Sequence, residues 1–326
     1  MKLAVAGAGM TGAYLYRLLK NEGREVHLYD RQQFAGCGIK PCAWGTSTQF
    51  VGLLNDAGLD AEKYILRRLD HILIDDVRVR ADIITFDKPM LIRDLLADAE
   101  ILATPLPIRE YDRVVDASGV SRALLPAIRD DFILNCTQYL IETREPLENR
   151  IRLGGIGYAW CFPLSPGRFH VGCGSLIEDP RRILKKLGWL DGKSPLYEKK
   201  ILCHCAGRIR LTGPFHSRPF VVDGPAEGIW GMGEAIGCVA PLAGDGIVPG
   251  MRSVQLLLEC WDNPHLYENA ILDEFSWMKN ERAIIDKLRK NGRVGIRDAL
   301  VLKRNSKRMG MRVGIRDALA LLNNLR

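Results

Sequence analysis

The first thirty residues follow an order that constrains the fold of this chain more than any other feature. Residues 2–6 (KLAVA) predict a short buried strand, and the glycine-rich GAGMTG comes directly after it. Residues 13–23 have the apolar spacing of a helix, and residues 24–30 (REVHLYD) predict a second strand that ends in an acid. Strand, glycine turn, helix, strand and acid in this order are the context of a dinucleotide-binding βαβ unit.

Each glycine of GAGMTG has a separate role in such a unit. Gly7 permits the tight turn, Gly9 lets the backbone approach a pyrophosphate, and Gly12 permits close packing of helix on strand. The phosphates then lie at the positive N-terminus of the helix. Asp30 follows Gly12 by eighteen residues, close to the usual spacing for a carboxylate that binds both hydroxyls of an adenosine ribose. Because an acid repels a 2′-phosphate, we expect FAD or NAD here rather than NADP.

A second glycine-rich segment, at residues 231–252, favours FAD. Glu234 follows a strand, and Pro241 with the Gly-Asp-Gly turn at 244–246 opens another helix. A flavin gains negative charge when it is reduced, so a helix N-terminus stabilises it. Glu234 can accept hydrogen bonds from ribityl hydroxyls. A glycine-rich loop that serves only as a turn is the alternative.

The remaining sequence predicts an α/β protein whose nucleotide-binding domain is discontinuous. Strand signals dominate residues 131–219. RVGIRDAL occurs at 293–300 and again at 312–319, which predicts two similar short helices. We therefore expect a cofactor-binding domain (1–45, 95–125 and 220–262), a strand-rich substrate domain (46–94 and 126–219) and a basic helical C-terminal segment (263–326).

Positive charge is concentrated at the C-terminal end. Residues 279–326 carry 14 Lys and Arg against 4 Asp and Glu, whereas the whole chain carries 46 against 39. Such a surface favours an anionic membrane surface or an acidic electron carrier as partner, and a solvated helical face is the alternative. We expect no nucleic acid partner. The short N-terminal apolar run is broken by glycines, so we expect a cytoplasmic protein, peripheral at most to the inner face of the cell membrane.

The nine cysteines form no CxxC pair. Cys203-His204-Cys205 is similar to a metal-binding triplet, but strand alternation puts its cysteines on one face and its histidine on the other. We therefore expect no metal site.

Five segments resemble the archaeal geranylgeranyl reductase family, which belongs to the FAD-dependent oxidoreductases of the para-hydroxybenzoate hydroxylase superfamily. In chain order they are GAGMTG with Asp30, KPCAWG (40–45), YDRVVDASGVSR (111–122), YAWCFP (158–163) and GEAIGCVAPLAGDGI (233–247). The last two are the most specific. The resemblance implies a Rossmann-like FAD-binding domain, an inserted antiparallel-sheet substrate domain laid over the flavin, and a short helical C-terminus. It also implies the reaction, the saturation of isoprenoid double bonds in a prenyl lipid or related precursor.

The resemblance further implies which residues bind FAD. Those at the adenosine diphosphate end are Gly7, Ala8, Gly9, Thr11, Gly12, Asp30, Arg31 and, near the adenine, Leu106. Those at the flavin and ribityl end are Lys40, Cys42, Ala43, Gly45, Glu234, Pro241, Gly244, Asp245, Gly246 and Ile247, and two more, Asp116 and Gly119, lie near the cofactor. The chain departs from the family in having Glu234 where Asp is usual, and in being shorter after Trp261.

Reduction of an alkene requires a hydride donor and a proton donor in a dry, apolar site. Reduced flavin supplies the hydride. Tyr158, Trp160 and Phe162 alternate along a predicted strand, so their rings face one side, where they can line an isoprenoid slot together with Pro163 and stabilise positive charge on carbon. Tyr158 and Trp160 are therefore candidate catalytic residues, as is Cys42, whose thiol can donate a proton. Ordinary sheet packing and an inert thiol are the alternatives.

The sequence leaves the electron donor and two other functions open. No second fingerprint with strand and acid is present, so electrons come from a ferredoxin-like protein or from NAD(P)H in transient contact. One alternative function is an FAD-dependent aromatic monooxygenase that uses NAD(P)H and oxygen. The other is a non-catalytic flavin- or lipid-binding protein.

Overall fold

The structure is a computed structural model that describes residues 1–31, 42–145, 147–190 and 198–325. Two β-sheets are packed with helices, which confirms the predicted α/β class. In the part of the chain that is described, no helix is both long enough and apolar enough to cross a bilayer.

The smaller sheet has six strands and contains the predicted dinucleotide-binding unit. Its spatial order is β13-β14-β7-β1-β2-β6, and all neighbours are parallel except the β13–β14 pair. The apolar run of β1 is buried on both faces, as expected for the centre of a parallel sheet. The strands are β1 (Leu3–Ala6), β2 (Val26–Tyr29), β6 (Ile101–Leu102), β7 (Arg113–Asp116), β13 (Val221–Val222) and β14 (Ile229–Gly231).

The larger sheet has nine strands, in the order β12-β8-β11-β10-β9-β4-β5-β15, with β3 also paired to β5. Its neighbours are antiparallel except β4 and β9. The strands are β3 (Gly45–Ser47), β4 (Ile65–Ile74), β5 (Val77–Phe86), β8 (Ile133–Thr143), β9 (Arg150–Leu153), β10 (Tyr158–Ser165), β11 (Arg168–Ser175), β12 (Lys199–Arg210) and β15 (Met311–Arg312).

The helices cover both sheets. They are α1 (Met10–Asn21), α2 (Gln49–Asp56), α3 (Lys88–Leu95), α4 (Pro180–Lys186), α5 (Ile247–Glu259), α6 (Pro264–Glu274), α7 (Ser276–Arg289), α8 (Ile296–Ser306) and α9 (Ile315–Asn324). The repeated RVGIRDAL forms the starts of α8 and α9, each with an aspartate in its first turn, as predicted.

The two faces of β10 have different surroundings. Ala159 and Cys161 pack in a core on the side of α4, whereas Trp160 and Phe162 pack in a core that includes residues of α7, α8 and α9. Strand alternation produces this division. The C-terminal segment therefore covers the aromatic face of the larger sheet and adds β15 to the edge of that sheet.

The domain division remains a prediction, but the contacts bear on its boundaries. Helices α2 and α3 lie within the predicted substrate domain, yet Phe50, Leu54 and Leu91 are buried in the same core as Leu15 of α1. Because Phe86 of β5 belongs to the same core, these helices pack between the smaller sheet and one strand of the larger sheet.

The Cys203-His204-Cys205 triplet lies on β12. The His204 ring stacks on Tyr139 with ring centroids 4.4 Å apart, and its Nε2 lies 2.9 Å from Thr137 Oγ1. Among the described residues, no group of three or more His, Cys, Asp or Glu side chains is placed to hold a metal ion.

Candidate functional site

The turn between β1 and α1 has the geometry that its glycines predict. Gly7 has a φ of +116°, and a Cβ there would lie 2.4 Å from the Ala117 carbonyl oxygen. A Cβ at Gly12 would lie 1.9 Å from the Gly7 carbonyl oxygen. By contrast, a Cβ at Gly9, the N-cap of α1, would meet no atom within 4 Å. The protein thus packs tightly on two glycines and leaves the third open at a helix N-terminus, which is the arrangement that binds a phosphate.

Asp30 follows β2 and lies beside this turn. Its Oδ2 accepts a hydrogen bond of 2.8 Å from the Ala8 backbone N–H, which holds the carboxylate near the open glycine. Arg31 and Leu106 line the same cavity as Asp30. Ala8 is fully buried, so it contributes its backbone rather than its side chain to this end of the site.

The second glycine-rich segment packs directly on the first. A Cβ at either Gly233 or Gly250 would lie 2.8 Å from Thr11 Oγ1, so only glycine permits this approach. Ser253 Oγ accepts a hydrogen bond of 2.9 Å from the Gly233 N–H. Since α1 and α5 lie side by side, both helices present their N-termini to one cavity. Two positive helix ends suit a long cofactor with two anionic parts.

Asp245 fixes the loop that precedes α5. Its Oδ1 accepts a hydrogen bond of 2.9 Å from the Ile247 N–H, and its Oδ2 accepts one of 2.8 Å from Thr46 Oγ1. Burial raises the pKa of this carboxyl, while the two hydrogen bonds and the charge of Lys88 oppose that shift. Thr46 lies on β3, so this contact joins the larger sheet to the N-terminus of α5.

Tyr158 contacts the same loop from β10. Its hydroxyl donates a hydrogen bond to the Ala243 carbonyl oxygen. Gly244 has a φ of +66°, and a Cβ there would lie 2.6 Å from Tyr158 Oη. Burial raises the pKa of Tyr158 far above its usual range. The Tyr158 hydroxyl is therefore held against the loop in its protonated form, with its O–H hydrogen-bonded to the Ala243 carbonyl oxygen.

Trp160 is positioned by the strands on either side of it. Its Nε1 donates a hydrogen bond of 3.2 Å to Gln138 Oε1. Gly172 is its partner across the β10–β11 pair, and a Cβ there would lie 2.2 Å from Trp160 Cζ2, so only glycine leaves room for the indole. Tyr158, Trp160 and Phe162 all line the cavity, as their alternation predicts.

A single cavity of about 810 Å³ connects these elements. Most of the residues that the sequence predicts for the site line it. They are Gly7, Gly9, Thr11, Asp30, Arg31, Cys42, Ala43, Gly45, Leu106, Gly119, Tyr158, Trp160, Phe162, Glu234, Gly244, Asp245, Gly246 and Ile247. Their roles in binding and catalysis remain predictions.

Other predicted residues lie behind the cavity wall, and Lys40 lies outside the described residues. Asp116 is fully buried and accepts hydrogen bonds from the Ser118 and Leu124 N–H groups, so it holds the turn after β7. Pro163 was expected in the substrate slot, but it alternates with Phe162 and so turns to the opposite face of β10. Pro241 is buried within its loop. None of the three lines the cavity, and their roles at the site remain predictions.

One arm of the cavity is apolar, and the sequence predicted only its aromatic wall. The other aliphatic side chains come from three strands of the larger sheet and from the C-terminal segment. They are Ile72, Ile74, Ile83, Ile151, Leu153, Leu302, Met309, Met311, Leu321 and Leu325. The short C-terminal segment therefore forms one wall of this arm.

Arg210 joins the turn after β7 and the second glycine-rich segment to the larger sheet, and sequence reasoning missed it. Its buried guanidinium donates to the carbonyl oxygens of Gly119, Val120 and Glu234, at 3.3, 2.9 and 3.1 Å. It also pairs with Asp131 at 2.9 Å. The Arg210 backbone N–H donates to Glu234 Oε1 at 2.7 Å, so this carboxylate, predicted to accept from a ribityl chain, also accepts from β12. An arginine at a strand end has no local sequence signal for such a role.

Two cysteine thiols line the cavity, and one of them is the predicted catalytic group. Cys42 lines the cavity and is half-buried. Cys136, which the sequence did not single out, also lines it, and burial raises the pKa of its thiol to about 12. Burial at Cys136 therefore disfavours the reactive thiolate.

Comparison with solved structures identifies the fold. A geranylgeranyl bacteriochlorophyll reductase-like protein of Thermoplasma acidophilum matches with a TM-score of 0.71 and 17% identity, over 99% of this chain and 95% of that chain. A tryptophan 6-halogenase of Streptomyces toxytricini matches with a TM-score of 0.68 and 13% identity, over 99% and 90%. A probable FAD-dependent monooxygenase of Pseudomonas aeruginosa matches with a TM-score of 0.59 and 16% identity, over 93% and 99%.

Sequence comparison adds one relative. An uncharacterised protein of Methanocaldococcus jannaschii is 27% identical over 345 aligned positions, which span 89% of this chain and 91% of that protein. No protein-family model matches the chain. The chain therefore has the fold that these solved structures share, and one of them is the geranylgeranyl bacteriochlorophyll reductase-like protein.

Proposed function

We propose that the chain is an FAD-dependent oxidoreductase that saturates double bonds of a prenyl lipid or a related isoprenoid precursor. The observation that carries the proposal is the form of the cavity. Two helix N-termini and Asp30 line its polar part, and an apolar arm with an aromatic wall adjoins the loop before α5, which Tyr158 contacts. The polar end suits a dinucleotide, and the apolar arm suits a hydrocarbon chain.

The residues at the polar end fit FAD. The space that a side chain at Gly9 would occupy is open, as a pyrophosphate requires. Asp30 would bind the adenosine ribose, and the loop at 241–246 with the N-terminus of α5 would hold the flavin end. When bound, FAD supplies the hydride.

The chain's own residues would align the alkene and exclude water. Trp160 and Phe162 are nearly buried and line the cavity, where aromatic rings would stabilise positive charge that develops on carbon. The aliphatic wall supplied by α8, α9 and β15 keeps the arm dry.

Helix α8 also supports contact with an anionic membrane surface. Ile296 and Leu300 are 65% and 49% exposed and lie one turn apart on the same face. Arg297 and Arg304 add positive charge to this helix, and its Leu302 lines the cavity. A helix with exposed apolar and basic side chains binds at a lipid headgroup layer, which is where a prenyl lipid enters a protein.

The test is an anaerobic reoxidation experiment. The FAD-loaded protein is reduced with dithionite and mixed with geranylgeraniol in micelles, and the flavin absorbance is followed. We expect the oxidised flavin spectrum to return with geranylgeraniol and not with the fully saturated alcohol of the same length. Oxidation of NADPH that requires oxygen and is stimulated by a phenol would instead support the aromatic monooxygenase, whose fold this chain shares.

A further inference from the structure

A buried carboxyl that the sequence motifs do not contain lies in the cavity wall. Glu281 projects from α7, is 3% exposed and lines the cavity. Its Oε2 accepts a hydrogen bond of 3.2 Å from the Leu242 N–H, in the loop that precedes α5. Its Oε1 accepts one of 3.2 Å from Asn305 Nδ2 on α8. The group thus joins the loop at the flavin end to the C-terminal wall of the apolar arm.

Neither hydrogen-bond partner of Glu281 carries a charge. On its own helix, Arg282 is turned away toward Asp130 and Asp286. On the neighbouring elements, Arg308 lies over the Trp277 ring, and Arg304 of α8 is exposed. Burial in these surroundings raises the pKa of Glu281 to about 7, so the protonated and ionised forms are both accessible near neutral pH.

The cavity wall carries four other charged side chains besides those of Asp30 and Arg31, namely Asp245, Lys88, Glu234 and Arg208. Burial raises the pKa of Asp245, and the two hydrogen bonds that it accepts oppose that rise and occupy both of its carboxylate oxygens. Lys88 opposes the effect of burial on Asp245. Among the described residues, Asp245 and Lys88 are the charged groups of the loop and of α3 that line the same cavity as Glu281.

Two other groups of the cavity wall, Tyr158 and Cys136, hold their protons too tightly to donate them. Tyr158 already donates its proton to the Ala243 carbonyl oxygen, and burial raises its pKa further. Burial also raises the pKa of Cys136 to about 12. A general acid is most effective when its pKa lies near the working pH. Glu281 meets that condition, whereas Tyr158 and Cys136 do not.

We infer that Glu281 donates the proton that completes alkene reduction in this cavity. The inference rests on the proposed function. The π bond of the alkene breaks as one carbon receives a hydride from the reduced flavin and the other receives the proton of Glu281, so two C–H bonds form. The alkene is reduced, the flavin is oxidised, and the Glu281 carboxylate recovers a proton from water. Asn305 and the Leu242 N–H stabilise the carboxylate that remains.

The decisive variant is Glu281→Gln, which keeps the size of the side chain and an acceptor for the Leu242 N–H but has no acidic proton. Asp273→Asn makes the same chemical change at an exposed position of α6 and is the matched control. Each protein is loaded with FAD, reduced anaerobically and mixed with geranylgeraniol. FAD content, affinity for geranylgeraniol and the reoxidation rate are measured separately.

We expect Glu281→Gln to retain FAD and geranylgeraniol affinity but to reoxidise roughly 100-fold more slowly, the lower end of the usual contribution of a general acid. The wild-type and Asp273→Asn rates should fall as the pH rises through about 7, because the acid is then lost, and Glu281→Gln should lack this dependence. Independently of turnover, the infrared band of a protonated carboxyl near about pH 6 should be present in the wild type and absent from Glu281→Gln.

The outcomes that overturn the inference differ from those that overturn the function. A wild-type protein whose flavin stays reduced with geranylgeraniol refutes the proposed function itself. A wild type that reduces the alkene, with Glu281→Gln equally fast and equally pH-dependent, refutes the role of Glu281 alone. A missing carboxyl band in the wild type, or a loss of rate confined to Cys42→Ser, does the same.

Discussion

Replacement of Gly9 by alanine separates cofactor binding from folding. Gly9 has φ −72° and ψ −175°, a conformation that any residue adopts, and a Cβ there would meet no protein atom within 4 Å. Gly9→Ala should therefore fold as well as the wild type, or gain roughly 0.4–1 kcal/mol from the reduced entropy of the unfolded chain. Gly12→Ala should instead be strongly destabilised, because its Cβ would lie 1.9 Å from a backbone oxygen.

Gly9→Ala should instead lower the affinity for FAD. The added methyl group occupies the space where a pyrophosphate would approach the N-terminus of α1. If it displaces two charge-assisted hydrogen bonds, each worth about 1.5–3 kcal/mol, the loss is roughly 3–6 kcal/mol. That corresponds to an increase in the dissociation constant of about 10²- to 10⁴-fold.

The assay is a titration of apoprotein with FAD, followed by the quenching of flavin fluorescence, alongside thermal unfolding of the apoprotein. Gly52→Ala is the matched control, since its Cβ would also meet no atom within 4 Å but it lies on α2, away from the cavity. Gly52→Ala should leave FAD affinity close to that of the wild type and should raise stability by about 0.5–1 kcal/mol, as alanine does in place of glycine inside a helix. If Gly9→Ala folds and binds FAD as tightly as the wild type, the pyrophosphate does not lie at this turn.

Three further predictions test other parts of the site. Trp160→Leu should retain FAD but reduce geranylgeraniol roughly 30-fold more slowly, as expected for the loss of about 2 kcal/mol of cation–π stabilisation, whereas Trp160→Phe should keep most of the rate. Arg210→Lys should weaken FAD binding and lower the melting temperature, since a lysine cannot span Asp131 and three carbonyl oxygens. The difference in unfolding free energy between the wild type and Glu281→Gln should fall by about 3 kcal/mol as the pH rises from 4.5 to above about 7. The reason is that the folded state holds the Glu281 proton more tightly than the unfolded state does.

Each of these predictions has a clear contrary result. Equal rates for Trp160→Leu and the wild type would remove the aromatic wall from the mechanism. Unchanged FAD affinity in Arg210→Lys would limit Arg210 to folding. A constant stability difference between wild type and Glu281→Gln across the pH range would show that Glu281 titrates as it does in the unfolded chain.

Local sequence patterns predicted the parts of the site that local geometry determines. The steric demands of a tight turn decide which residues can occupy it, so Gly7, Gly9 and Gly12 could be assigned from the sequence. Strand alternation likewise predicted that Trp160 and Phe162 share a face. The same rule places Pro163 on the opposite face of the strand from Phe162.

Long-range packing determined the parts that the sequence did not reveal. Glu281 and Arg210 have no motif around them, and their roles depend on contacts with elements far away in the chain. The sequence predicts a helix in the region of 296–306. Whether Leu302 points inward, however, depends on how α8 packs against the larger sheet. Such contacts follow from the fold and cannot be derived from spacing alone.

The most direct test of the central claim is the mass of the product. FAD-loaded protein is reduced anaerobically in D₂O and incubated with geranylgeraniol, and the lipid is recovered for mass spectrometry. Reduction in this cavity predicts two deuterium atoms added at each reduced double bond, because both the flavin hydrogen and the acid proton exchange with solvent. Recovery of geranylgeraniol with its mass unchanged, from protein that binds FAD and accepts electrons, would contradict it.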